Sequence, residues 1–208
     1  MTPIAHFATV WERCTQLSVL QAYLSKNVSG VLNPEELLRA EWVARVSALD
    51  LYVHELVAQG MRSIFDGQRP QTNAYLRFHI PLEVVSRILA TKSLTDAGAA
   101  FDLEVREQLA ILTFQQPEKI ADAVRLFSQT ELWNEVALKL GATPSTKTNE
   151  AKAIKHQLSL IITRRNQIAH EGDLQPNLLR QPWPISRTDL DFVASTIEKI
   201  IKAIDAVV

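Results

Sequence analysis

The sequence predicts an all-α protein, a helical bundle built on two long antiparallel helices with shorter accessory helices. Three observations predict it. Glycine is scarce, six in 208 residues, so the turn chemistry that many short strands need is missing. No segment alternates apolar and polar residues with the period of two that marks a half-buried strand. Long stretches instead repeat apolar residues every three or four positions, between residues that start and stop helices.

The elements follow in order. Pro3 suits the first turn of a helix reaching about Leu24. Asn33 reads as an N-cap, with Pro34 at the first helical position and Glu36 at the capping-box position. That long helix extends to about Phe65, where Asp66-Gly67-Gln68-Arg69-Pro70 breaks it, and a loop continues to Pro81. Shorter helices are expected over Leu82 to Ala90, Leu103 to Phe114, Pro117 to Phe127 and Glu131 to Leu140. Gly141 to Asn149 is a connection. The second long helix runs from about Glu150 to Glu171, closed by Gly172. Pro176, Pro182 and Pro184 exclude regular helix from Gln175 to Ser186. The last helix starts near Thr188 and carries Leu190, Val193, Ile197, Ile200, Ile201 and Ile204 on one stripe. No internal repeat divides the chain. One domain over 1–208 is expected, with its core at 34–65 and 150–206 and a helical insertion at 80–140.

Composition narrows the functional classes. The net charge is −1, so any nucleic-acid surface must be local rather than global. The single cysteine, Cys14, excludes an internal disulfide and a thiolate zinc cluster. It falls in the apolar pattern Val10, Cys14, Leu17 and reads as a buried structural thiol. No apolar run approaches the roughly 20 residues that cross a bilayer. The first residues lack a basic stretch followed by an apolar one, so a cytoplasmic protein without membrane contact is expected.

The departure from bland helix chemistry is Arg165-Asn166-Gln167-Ile168-Ala169-His170. At about 100° per residue, Ile154, Leu158, Ile161, Ile162, Arg165 and Ala169 share a sector of about 80°. Arg165 lies near its centre, whereas Arg164 points toward solvent. A guanidinium stays charged, so in an apolar stripe it needs an anionic or acceptor partner. The first long helix offers one: Asp50 sits at the edge of its stripe of Trp42, Val43, Val46, Leu49, Val53, Leu56 and Val57. An Asp50–Arg165 pair would either pin two helices together or aim a functional arginine. Asn166 and His170, four apart, share the flanking face. Arg165 and His170 are about 140° apart on an ideal helix. They meet at one phosphate only if the helix end is irregular or a second subunit completes the site.

Histidine exchanges a proton near neutral pH, which suits His170 to acid–base work; a helix C-terminus also favours the charged ring for structural reasons alone. Glu171 and Asp173 read as solvated residues beyond a helix end rather than metal ligands, and no metal or other cofactor is expected. Lys147, Lys152, Lys155, His156, Arg164 and Arg180 supply modest local basicity. Arg164 and Lys155 are the candidates for contact with a nucleic-acid backbone, although a solvated face explains them equally well. Trp133 and Trp183 read as core or loop anchors.

Arg164 through Asp173 resembles the Arg-Asn-x-x-Ala-His signature of the HEPN superfamily, most closely the branch called RiboL-PSP HEPN domains. The likeness extends upstream through Leu158 to Ile162 and downstream to the helix of Leu190 to Ala206. It also takes in Ala40-Glu41-Trp42 through Ala48-Leu49-Asp50. The resemblance implies small all-α domains that pair through two long helices, many of them metal-independent endoribonucleases. It implies Arg165 and His170 as a catalytic pair assisted by Asn166, in a homodimer whose two motifs form one composite cleft. RNA would be the substrate, cut by 2′-OH attack to leave 2′,3′-cyclic phosphate and 5′-OH ends. A toxin or phage-defence role, and a regulatory partner protein, are further implications. One departure stands out: Gly172 occupies the position where toxins silenced by modification carry tyrosine, which counts against control by a nucleotidyltransferase antitoxin. The alternative reading is a non-catalytic helical dimerisation module, or one that binds a nucleotide or RNA without chemistry.

Overall fold

The computed structural model describes residues 1–28, 33–177 and 180–208, and among them it contains nine α-helices and no strand. They are α1 (Pro3–Asn27), α2 (Glu35–Phe65), α3 (Asn73–Leu76), α4 (Leu82–Ala90), α5 (Leu94–Leu109), α6 (Pro117–Arg125), α7 (Leu132–Lys139), α8 (Lys147–Glu171) and α9 (Arg187–Val207). The protein is all-α, as its patterning predicts.

Local chemistry explains where the boundaries differ from expectation. Before α2, Asn33 Oδ1 accepts the Glu35 amide at 3.1 Å, but no capping box forms. The Glu36 carboxylate turns instead to Arg39 Nη1 at 3.1 Å. α3 adds a single turn inside the expected loop because the Thr72 hydroxyl caps the Tyr75 amide. α5 begins nine residues before the expected Leu103, since Ser93 caps the Asp96 amide, and it stops at Leu109 rather than Phe114. α8 starts at Lys147 instead of Glu150. Ahead of α9, Ser186 and Asp189 close a full capping box that satisfies two backbone N–H groups reciprocally.

α2 is the spine of the core. Val46, Leu49, Tyr52, Val53, Val57, Ala58 and Met61 are fully buried along it. α1 lies along α2, α5 packs through Phe101 and Val105, and the whole expected stripe of α9 is buried. Truncating such a side chain, for instance Ile201→Ala, costs about 2–5 kcal/mol. Near the end of α2 Gly60 permits close approach: a Cβ there would collide with the Phe127 ring. Cys14 is buried as expected.

α8 meets α2 in the opposite sense. Trp42 Nε1 donates to the Ile161 carbonyl at 3.0 Å. One turn earlier on α2, Arg39 reaches Asp173 beyond the end of α8 at 3.0 Å. A second ionic node ties α1, α2 and α9: fully buried Glu41 accepts Ser18 Oγ at 2.7 Å, Arg45 Nε at 2.8 Å and Arg187 Nη1 at 2.8 Å. Burial pushes the Glu41 carboxyl up, but hydrogen bonds from Arg187, Ser18 and Arg45 outweigh that and hold it below the usual glutamate range. Among the described residues, no helix is long and apolar enough to cross a membrane.

Candidate active site

α8 keeps helical geometry through Glu171 and ends at Gly172, whose φ of 66° lies in the left-handed region that glycine tolerates. The chain then turns through Asp173, a non-glycine residue with φ of 57°. Such a backbone persists only where its surroundings hold it. Here they do. Asp173 is fully buried, and its Oδ2 accepts Arg39 Nε at 3.0 Å and Arg164 Nη2 at 2.8 Å. Arg164 Nε lies 2.7 Å from Oδ1, an ion-pair contact rather than an aligned hydrogen bond. The Asp173 carbonyl accepts the Trp183 amide, and Arg39 Nη2 donates to the Trp183 carbonyl at 2.7 Å. Asp173 therefore clamps the segment after α8 onto α2 and α8.

Two expectations are overturned at this clamp. Asp173 is not a solvated residue past a helix end, although Glu171 is exposed. Arg164 does not point freely into solvent. Its guanidinium is committed to Asp173 and the Pro184 carbonyl and lies 5.9 Å over the Trp42 ring.

Arg165 is different. Half-buried on the α2 side of α8, it donates from Nη1 to Asn166 Oδ1 at 3.1 Å, and its buried Nε has no hydrogen-bond partner. Among the described residues no carboxylate pairs with it. Asn166 is half-buried and His170 exposed on the last turn. Because α8 is regular to its end, Arg165 and His170 stay about 140° apart around it. A shallow groove of about 480 Å³ runs between α2 and α8, lined by Arg39, Ala40, Val43, Ala44, Ile168 and Ala169.

The RiboL-PSP-HEPN family model matches residues 12–208, nearly the whole chain. The chain belongs to the RiboL-PSP-HEPN family. No curated protein and no solved structure matches it. Membership of a HEPN family suggests a ribonuclease-type or nucleotide-related function.

Within this RiboL-PSP-HEPN chain, Asp50 does not hold Arg165. Its Oδ1 accepts the Phe114 amide at 2.6 Å, its Oδ2 accepts Gln115 Nε2 at 3.0 Å, and His54 Nε2 stands 3.7 Å away. Asp50 fixes the loop between α5 and α6. The helical wheel reports angle and ignores height. With Trp42 opposite Ile161, Asp50 lies about 12 Å along α2 toward the other end of α8, while Arg165 lies about 6 Å the opposite way. Lys155 is tied to Glu118 Oε1 at 3.0 Å, about 15 Å along α8 from Arg165. The structure thus keeps Arg165, Asn166 and His170 on neighbouring turns and separates Asp50, Arg164 and Lys155 from them. Sequence reasoning missed Arg39 as a member of the clamp beneath the site. Its one local signal was a cation on an otherwise apolar sector of α2. Among the described residues, no three His, Cys, Asp or Glu side chains converge as a metal site would require.

Proposed function

We propose that this domain is an endoribonuclease that cuts RNA without a metal ion, through a site completed by a second copy of the chain. The observation that carries the reading is Arg165, a guanidinium with no acid partner beside Asn166 and one turn from His170, inside the family-matched span. An unneutralised planar fork suits a phosphate. Asn166 spends its Oδ1 on Arg165, which leaves its amide N–H groups to donate to a phosphate oxygen or the 2′-OH.

The 2′-oxygen attacks the adjacent phosphorus, the bond to the 5′-oxygen breaks, and the products are a 2′,3′-cyclic phosphate and a 5′-OH. His170 of one copy takes the 2′-OH proton and, as the imidazolium, gives it to the departing 5′-oxygen, while Arg165 comes from the other copy. Arg165 stabilises the charge that grows on the non-bridging oxygens. DNA lacks the nucleophile and is inert.

The regular geometry of α8 supports a dimer, because it keeps Arg165 and His170 of one copy about 140° apart around the helix. The groove beside Arg165 is lined by small side chains such as Ala40, Ala44 and Ala169, which let another helix come close. A cytoplasmic toxin or phage-defence effector, restrained by a partner protein, is the biological setting this activity fits. The test is incubation of wild type and His170→Ala with mixed RNA in EDTA. Cleavage by wild type alone, leaving cyclic-phosphate ends, supports the proposal. Intact RNA with wild type, or cutting that survives His170→Ala, removes it.

A further inference from the structure

A second and larger groove lies away from Arg165. It measures about 690 Å³ and opens at the other end of α8, between α3, the α6–α7 region and the first turns of α8. Its lining is polar and apolar in about equal parts, and Asn73, Arg125, Asn134, Thr148, Lys152 and Lys155 supply amides, a hydroxyl and cations to it. Two carboxylates also line it, but each has a partner: Glu118 holds Lys155, and Glu131 accepts the Asn134 amide at 2.9 Å. Arg125 pairs with Asp122 on the exposed surface. Exposed Lys152 has no ion-pair partner among the described residues, so it is the uncompensated charge of the groove.

The groove is joined to the candidate active site by one face of α8. With Arg165 as origin and about 100° per residue, Thr148, Lys152, Lys155, Ser159, Asn166 and His170 all fall between roughly 80° and 140°. From Thr148 to His170 this polar stripe is about 33 Å long. It carries a proton-transfer group at one end and a lysine-bearing pocket at the other. That length matches several nucleotides of an extended strand and exceeds any single small ligand.

We infer that the stripe and groove form a track for single-stranded RNA, holding nucleotides several positions from the scissile phosphate while Asn166 and His170 act at its end. The inference rests on the ribonuclease reading for its direction. It assigns the RNA contacts to Lys152 and the groove instead of to Arg164. Mixed hydroxyl and amide donors suit ribose and base edges without fixing a sequence, and Lys152 and Arg125 face the backbone.

Fluorescence anisotropy with labelled single-stranded RNA tests the track, using full-length His170→Ala so that the probe stays intact. Oligonucleotides of roughly four and roughly twelve nucleotides are compared. The longer one binds about tenfold more tightly or better, and Lys152→Glu or Arg125→Glu removes most of that gain and lowers the salt dependence. Both side chains are exposed, and thermal melting that matches the parent confirms folding. Equal affinity for the two lengths, or a gain that survives both substitutions, overturns the track. Wild-type cleavage is scored in parallel. Length-independent binding with intact cleavage removes the track and leaves the ribonuclease standing, whereas track-dependent binding without cleavage removes the ribonuclease and keeps the track.

Discussion

Arg164 and Arg165 follow one another on α8 and live in opposite surroundings. Arg164 is bound to a fully buried carboxylate and to backbone carbonyls of the segment that returns from α8. Arg165 donates to the amide oxygen of its neighbour and leaves a buried Nε without a hydrogen-bond partner. The sequence pattern suggests the reverse, with Arg164 in solvent and Arg165 in an ion pair. One guanidinium is neutralised and locks the helix end, and the next has no acid partner among the described residues. On the proposed ribonuclease reading, an RNA phosphate becomes that partner.

The comparison can be broken from either side, and the largest effect belongs to the clamp. Asp173→Ala strands Arg164 without a carboxylate and leaves Arg39 only the exposed Glu35 and Glu36, and removing one partner of a buried pair costs about 3–5 kcal/mol. Urea denaturation reads it, and a loss under about 1 kcal/mol would show that the clamp carries no stability. Arg165→Ala should leave the denaturation midpoint near that of wild type while lowering turnover about 100- to 1000-fold. A strongly destabilised variant that still turns over would make Arg165 the structural arginine. Arg164→Ala comes next, with about 1.5–3 kcal/mol of stability lost through its charged hydrogen bonds. An RNA affinity unchanged in its salt dependence would accompany that loss, whereas a shallower salt slope would return Arg164 to the RNA surface.

The smallest effect is the acid response of Glu41. Its folded carboxyl titrates below the unfolded value of about 4.3, so its contribution is fully present above that pH. It is lost as pH falls through the lower folded value. Glu41→Gln should therefore lower stability at neutral pH and flatten the fall in stability below about pH 4. Parallel acid curves for variant and wild type would show that Glu41 is not held as described.

How much of this was legible depended on the range of the interaction. The α9 stripe from Leu190 to Ile204 is local periodicity, and every member is buried. Gly172 is a local stop signal, and it takes the left-handed conformation. Ser93 and Ser186 are equally local caps whose signals were present in the sequence and went unused. The site divided along the same line. Arg165 stood out because a charge in an apolar sector is visible on one helix. Its surroundings were invisible, because Arg39 and Asp173 meet across 134 positions. Asp50 was misassigned because periodicity fixes the angle of a side chain and not its height against a neighbouring helix.

On the proposed mechanism Arg165 and His170 reach one phosphate from two copies of the chain. Co-expression of Arg165→Ala and His170→Ala under different tags, followed by isolation of the mixed species, tests it most directly. Each variant alone is inactive. In the mixed dimer one chain supplies Arg165 and the other His170, so RNA cleavage with cyclic-phosphate ends should return in part. A mixed dimer as inactive as either parent, or a wild type that cleaves as a strict monomer by light scattering, would contradict the shared site.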